Sequence, residues 1–406
     1  MKPFEQPTLP VPDLIANDKL LQGFSSKRLE YLTQVMQTQV DRGMFPGAVT
    51  AILHRKELVH FESHGFLDAA RTKPMTKNAL FRLASMTKPL VTTVAMMMVE
   101  RGIFDLQDPI ANWLPELKNL KVETPQGDVA LDRPIWVHDL MRHTSGFVYA
   151  DRSHSPRIRK LYEEHNIEAR VHDISASEML SNLGKIPLAH QPGTFWEYSI
   201  SIDVLGLLLE RVLNQPLDVI VASALLEPLG MHDTTWWVTN EQALNLAETL
   251  DDDPLKVGML KAYRQHDNPA GKSYFKGGAG LIGTTADYLR FLQMMLNAGE
   301  FEGKRYLSRK SVELMLSQHT VGMGGTTMAN TGPGYGFGLG FAIRQAQGMC
   351  WVPGSQGDAM WAGVWGTSFW LDPKEELTAI IMAQGPSNKT HTRMLYKNLV
   401  YGALVQ

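Results

Sequence analysis

Cysteine is nearly absent: Cys350 is the single one in 406 residues, so no intrachain disulfide can form. That suits a reducing compartment, or a core large enough to need no cross-link. With nothing thiol-activating nearby, Cys350 reads as a small core residue. Charge imbalance is lacking too. Thirty-nine Lys+Arg against 42 Asp+Glu leave a net charge of −3, which gives no basic footprint for nucleic acid or an anionic membrane. No run approaches the ~18 apolar residues of a membrane-spanning helix. Met1 to Lys19 is proline-rich and acidic, without the apolar centre of a secretory signal. A cytoplasmic protein is expected, with small-molecule partners. No His-Glu-x-x-His occurs among the 13 histidines, and no Gly-x-Ser-x-Gly elbow exists. Neither a metal nor an organic cofactor is expected.

What is present is an ordinary globular composition, 44% hydrophobic and 20% charged, long enough for one large two-lobed domain or two smaller ones. Ser25 to Arg42 carries Leu29, Leu32, Val35, Met36 and Val40 at helical spacing and ends at Gly43 and Pro46-Gly47. Ala48–Leu53 and Leu58–Glu62 read as a hairpin. Ser85 to Arg101 is apolar on nearly every side, the mark of a buried helix, with Gly102 placed to stop it. From Asp105 to Ser273, prolines, aspartates and short helical stretches alternate. Strand signals return at Tyr335–Phe341, where glycines alternate with large residues, and at Val364–Leu371 and Leu377–Ala383 around the Asp372-Pro373 turn. Thr392–Leu404 reads as a closing helix. The expected architecture is α/β (α+β): a sheet built from both chain ends, residues 1–104 and 274–406, carrying a mostly helical insertion over 105–273.

The chemistry centres on Ser85-Met86-Thr87-Lys88. A serine hydroxyl is a weak nucleophile unless a base lies within hydrogen-bond reach and donors await the oxyanion. Residues three apart on a helical turn share a face, so Lys88 can serve Ser85, and the helix's positive end favours an alkoxide. Pro89 biases Lys88 away from helical geometry but is tolerated in a first turn. Ser273-Tyr274-Phe275-Lys276 matches the same spacing, yet opens no apolar helix.

Together with other segments in order, Ser85-Met86-Thr87-Lys88 resembles the nucleophile motif of the serine β-lactamase and penicillin-binding superfamily, its family VIII carboxylesterase branch above all. His143-Thr144-Ser145-Gly146, Pro192-Gly193 with Trp196-Glu197-Tyr198-Ser199, Gly278 to Arg290, Tyr335 to Phe341 and Trp361-Ala362-Gly363-Val364 carry the likeness, from about Pro46 to Ala383. The resemblance implies a β-lactamase-like antiparallel sheet flanked by helices. It also implies Tyr198 in the proton relay with Lys88, an oxyanion hole from the amides of Ser85 and of Val364 on a strand edge, and Trp361 and Gly363 at the substrate. Ile200 stands where lactamases usually carry asparagine, Ala362 replaces the esterases' middle glycine, and Lys-Thr-Gly is absent, removing the cation for a lactam carboxylate. An apolar, short-chain acyl ester is the substrate expected, split through a Ser85 acyl-enzyme. The alternatives are an acyltransferase, a weak β-lactamase, and a non-catalytic sensor or assembly protein.

Rival signals have plainer readings. Gly278-Ala279-Gly280-Leu281-Ile282-Gly283 matches a dinucleotide pattern, but no buried strand precedes it. His143 reads as a helix-end structural residue, and Met96–Met98, Met294 and Met295 as core. Arg152, Arg157, Arg159 and Lys160 read as a solvated face, with a loop over the site entrance as the minority reading. For Met360 and Trp361, a substrate wall and simple packing stand level.

Overall fold

A computed structural model describes residues 19–167, 174–255 and 274–406. Met1 to Asp18 and Ser273 of the second serine–lysine tetrad therefore lie outside the described residues. Helix α1 (Ser26–Asp41) starts where Ser25 Oγ accepts the amide of Arg28 at 3.2 Å, an N-cap that satisfies one orphan donor. Strands β1 (Gly47–His54) and β2 (Glu57–Gly65) follow as an antiparallel hairpin, with Arg55 and Lys56 both at positive φ in its turn.

Helix α2 (Thr87–Glu100) carries the apolar run, with Leu90, Val91, Val94 and Ala95 fully buried. Gly102, at φ 69°, closes it: its amide bonds Val99 O at 3.0 Å, and Ile103 bonds Met98 O at 3.0 Å. This is the Schellman pattern, which needs a left-handed residue at that point. Further on stand α3 (Ser201–Leu213) and α4 (Thr285–Leu296). The chain then lays down β3 (Tyr335–Phe337), β4 (Ala342–Arg344), β5 (Ala359–Ala362), β6 (Ser368–Asp372), β7 (Leu377–Ala383) and the closing α5 (Lys389–Ala403).

These strands form one antiparallel seven-stranded sheet in the order β3-β4-β5-β6-β7-β1-β2. The β7–β1 pairing, from Leu377↔His54 to Ala383↔Ala48, joins the two chain ends. On one face Leu32 and Met36 of α1 and Tyr396 and Val400 of α5 pack against Ile52, Trp370 and Ile381. On the other, Leu90 and Val94 of α2 and Phe291 of α4 pack against Ala51, Phe369 and Ile380. Side chains alternate along each strand, so both faces are apolar because both are covered. Each large apolar side chain buried this way contributes about 1.5–3 kcal/mol.

Two strand readings are corrected. Tyr335 to Phe341 is not one strand: the chain turns back at Gly338-Leu339-Gly340, where the amide of Gly338 bonds Phe341 O at 2.8 Å, and forms the β3–β4 hairpin. Period two cannot distinguish a strand from a tight turn rich in glycine. The second strand begins at Ser368 rather than Val364. Gly363 to Thr367 is the turn between β5 and β6, closed by Gly363 N–H to Thr367 O at 2.9 Å and Gly366 N–H to Gly363 O at 3.1 Å. Among the described residues no helix is long and apolar enough to cross a membrane, and no group of three or more His, Cys, Asp or Glu is placed to hold a metal ion.

Candidate active site

Ser85 lies in the 3-10 turn Ala84–Met86, which runs straight into α2. Met86 and Thr87 are both right-handed helical, so Lys88 precedes Pro89 inside the first turn, where a missing amide costs no helix bond. Lys88 Nζ therefore reaches Ser85 Oγ at 3.3 Å. Ala84, immediately before the serine, is held at φ 46°, a left-handed conformation rare outside glycine. Such strain persists only where packing over-determines it; here Met86 N–H bonds Leu83 O at 3.0 Å and Tyr288 Oη donates to Met86 O at 2.8 Å.

Tyr198 arrives from the segment before α3, 113 residues along the chain, and its hydroxyl donates to Ser85 Oγ at 2.6 Å. Its ring also lies 4.7 Å from Lys88 Nζ. His143, at φ 59° after the short helix Val137–Met141, holds this segment from both sides of the tyrosine. Its carbonyl accepts Glu197 N–H at 3.0 Å, and Nδ1 accepts Ser199 N–H at 3.3 Å. Burial above all, with the nearby charge of Arg152, pushes the imidazolium well below its ordinary range, so His143 is a neutral brace.

Sequence reasoning missed three partners. Tyr149 Oη stands 3.3 Å from Lys88 Nζ, and its ring lies 5.3 Å from that of Tyr198. Gly278 O accepts from Lys88 at 2.6 Å, while Gly278 N–H bonds Asp203 Oδ1 at 3.1 Å. The glycine run that mimicked a nucleotide loop thus passes beneath the lysine; it holds Nζ with a main-chain carbonyl. No ion pair involves Lys88 among the described residues: its partners are a serine, a phenol and a carbonyl. None of these contacts has a fixed spacing from Ser85, so no sequence pattern announces them. The third is Arg393, considered below.

Gly363 is a close-approach position: a Cβ there would lie 2.4 Å from Leu83 O and 2.3 Å from Thr367 Oγ1. Its bare backbone lets the β5–β6 turn rest against the segment that carries Ser85. Val364 therefore occupies a turn, not a strand edge, and the amides of Gly363 and Gly366 are committed within that turn. Trp361 is buried, with its ring 5.3 Å from Tyr198 and 5.2 Å from Phe337. Met360 belongs to the opposite face of β5 and packs toward α5, so the two do not form one wall.

The site is not short of cations despite the missing Lys-Thr-Gly. The Arg393 guanidinium, from α5, donates to Gly363 O and to Thr367 O, the latter at 3.2 Å. Arg152 lies over the Tyr198 ring, 4.9 Å from its centroid, and bonds Asn330 Oδ1 at 2.6 Å. The rest of the basic cluster is a solvated face: Arg157 pairs with Asp128 and Lys160 with Glu164.

The Beta-lactamase family model matches residues 32–403. The chain belongs to the beta-lactamase family. It is 33% identical to Protein Rv1367c of Mycobacterium tuberculosis over 85% of this chain and 87% of that protein. It is 30% identical to Esterase EstB of Burkholderia gladioli over 83% and 85% respectively. Among solved structures it resembles EstCE1, a hydrolase with promiscuous acyltransferase activity, at TM-score 0.78 and 27% identity, covering 93% of this chain and 98% of that one. The expected β-lactamase-like fold of helices and antiparallel sheet is thereby established.

Proposed function

We propose that the chain is a serine carboxylesterase of the family VIII type, cleaving short-chain acyl esters through an acyl-enzyme on Ser85. One observation carries this reading: Ser85 Oγ lies within hydrogen-bond reach of both Lys88 and Tyr198, and no ion pair to Lys88 occurs among the described residues. In the forward step the neutral amine of Lys88 accepts the hydroxyl proton as Oγ attacks the ester carbonyl. The amides of Ser85 and Val364 stabilise the oxyanion, and each such donor is worth about 10²-fold or more in rate. The Tyr198 phenol passes a proton to the departing alcohol, and Lys88 and Tyr198 then activate water to release the acid. Esterase EstB among the relatives supports the ester as substrate class.

The division of labour also supports the domain boundaries. We place the cleft between the sheet domain, residues 1–104 and 274–406, which contributes Ser85 and Lys88, and the inserted lobe, 105–273, which contributes Tyr149 and Tyr198. Hydrolysis of p-nitrophenyl butyrate tests the function: wild type turns over while Ser85→Ala does not, and nitrocefin is a poor substrate for both. Labelling without turnover would instead mark a sensor. A second reading, acyl transfer, is favoured by the promiscuous acyltransferase activity of EstCE1; product formation that rises steeply with added alcohol would select it.

A further inference from the structure

The first turn of α3 does more than follow Tyr198. Asp203, the third residue of that helix and buried, turns its carboxylate onto the glycine turn that runs beneath Lys88. Its Oδ1 accepts the amide of Gly278 at 3.1 Å, and the carbonyl of the same glycine takes Lys88 Nζ at 2.6 Å. The approach is close enough to need bare backbone: a Cβ on Gly278 would lie 2.5 Å from Asp203 Oδ2, and one on Gly277 2.5 Å from Ile202 O. The positive end of α3 favours an acceptor-only carboxylate at this position.

The segment is pinned at further points. Trp236 Nε1 and the amide of Gly280 both donate to Lys276 O, each at 3.2 Å. Beyond the turn, Leu281 N–H bonds Thr87 Oγ1 at 3.0 Å, and Leu281 O takes the amide of Leu83 at 2.9 Å. Thr87 is fully buried and precedes Lys88 in α2. Gly278 O is thus fixed against the lysine from two sides, by α3 and by α2.

A carbonyl oxygen can only accept. Lys88 must therefore present an N–H to Gly278 O, whether charged or neutral, and that contact is shorter than the 3.3 Å to Ser85 Oγ and to Tyr149 Oη. In the neutral amine one N–H is thus committed, which leaves one N–H and the lone pair for the two hydroxyls. Both hydroxyls can donate as well as accept, so the lone pair can face Ser85. When the serine proton moves to Nζ, the ammonium has three N–H groups for three oxygens: Gly278 O, Tyr149 Oη and Ser85 Oγ. Without the fixed carbonyl, the amine is free to turn its lone pair away from the nucleophile.

We propose that Asp203 is a positioning residue for the Lys88 base, acting through the Gly278 carbonyl to aim the amine's lone pair at Ser85. The first turn of α3 then sets both proton-transfer groups, Tyr198 directly and Lys88 by way of Asp203. The inference deepens the serine-hydrolase reading and rests on it for turnover.

The test compares wild type, Asp203→Ala and Asp203→Asn in p-nitrophenyl butyrate hydrolysis, with folding checked by circular dichroism. Alanine suits a helix but offers the Gly278 amide no acceptor, whereas asparagine keeps an oxygen for it. Asp203→Ala is expected to lower kcat by about 10²-fold, the cost of misplacing a reacting group by an ångström, with KM within about twofold. Asp203→Asn is expected to recover most of that loss. A residue that merely supports the fold would lower the melting temperature and leave kcat per folded molecule alone. A kcat within about threefold of wild type in Asp203→Ala, or equal losses in both variants, would overturn the proposal. Should Asp203→Ala fail to fold, the isosteric Thr87→Val, which frees the other end of the segment, decides: a kcat loss beyond about threefold at constant KM supports the proposal, and a smaller one overturns it. The rate at which a fluorophosphonate labels Ser85, read by intact mass, separates this inference from the esterase reading, because labelling needs an activated serine but no ester turnover. Labelling of wild type without hydrolysis would sink that reading alone. A labelling rate that falls in Asp203→Ala and returns in Asp203→Asn would still support the positioning role, and one rate for all three would overturn it.

Discussion

Two buried lysines sit beside tyrosines in this chain, and their surroundings are opposite. Lys397, on one face of the sheet, meets Asp358 and the Tyr335 hydroxyl, and Asp358 also pairs with Arg344. Lys88, on the other face, meets the hydroxyls of Ser85 and Tyr149, the ring of Tyr198 and a glycine carbonyl. The first arrangement fixes a cation in place: burial and Asp358 raise the Tyr335 phenol, which stays protonated and donates to that carboxylate. In the second, no carboxylate pairs with the amine among the described residues. Placement inside the protein is shared; the presence of a carboxylate separates scaffold from chemistry.

The contrast can be broken by exchanging the effects of mutation. Lys88→Met should cost about 10³-fold or more in kcat/KM while leaving the melting temperature nearly unchanged. Asp358→Asn should do the reverse: it strands two buried cations, costing about 3–5 kcal/mol of stability, with activity per folded molecule retained. Urea denaturation and p-nitrophenyl butyrate assays on both variants read the two axes. Comparable stability losses in both would erase the distinction.

Smaller effects sharpen it. Tyr198→Phe should lower kcat by about 10²-fold or more, since the phenol moves a proton. Tyr149→Phe, which removes a hydrogen bond to Lys88, should cost no more than about tenfold. A third buried polar group bears on stability alone. Thr50 Oγ1 bridges Nε2 of His60 and of His64, each at 2.8 Å, and burial lowers these histidines to about 3 and about 4. The unfolded chain takes up their protons near pH 6.5 and the folded one does not. Stability is therefore complete above pH 6.5 and declines as pH falls toward 4, by a few kcal/mol at most. His64→Gln should flatten that decline in denaturation curves taken at pH 7 and 4.5, with activity at pH 7 unaffected.

Much of the fold was legible because it rests on local pattern. The apolar circumference of Leu90 to Val99, the stop at Gly102 and the strand Leu377–Ala383 each need only neighbouring residues, and each appears in the structure. The Tyr335–Phe341 hairpin was misread because alternation also describes a glycine turn, and the Val364 turn because apolar residues continue through it. In the site, Ser85 and Lys88 are legible through one helical turn. Tyr149 and Arg393 are not, since two separate elements bring them to Tyr198 and the Gly363 turn, and no spacing encodes that encounter; Arg152, from the same turn as Tyr149, was legible only as the minority reading of its basic cluster.

The most direct test of the central claim is a brief pulse of p-nitrophenyl butyrate, acid quench and peptide mapping by mass spectrometry, run in parallel on wild type, Tyr198→Phe and Lys88→Met. The account predicts a butyryl group on the peptide containing Ser85, accumulating in Tyr198→Phe and absent from Lys88→Met. Acylation of any other residue, or undiminished acylation of Ser85 without the lysine amine, would contradict it.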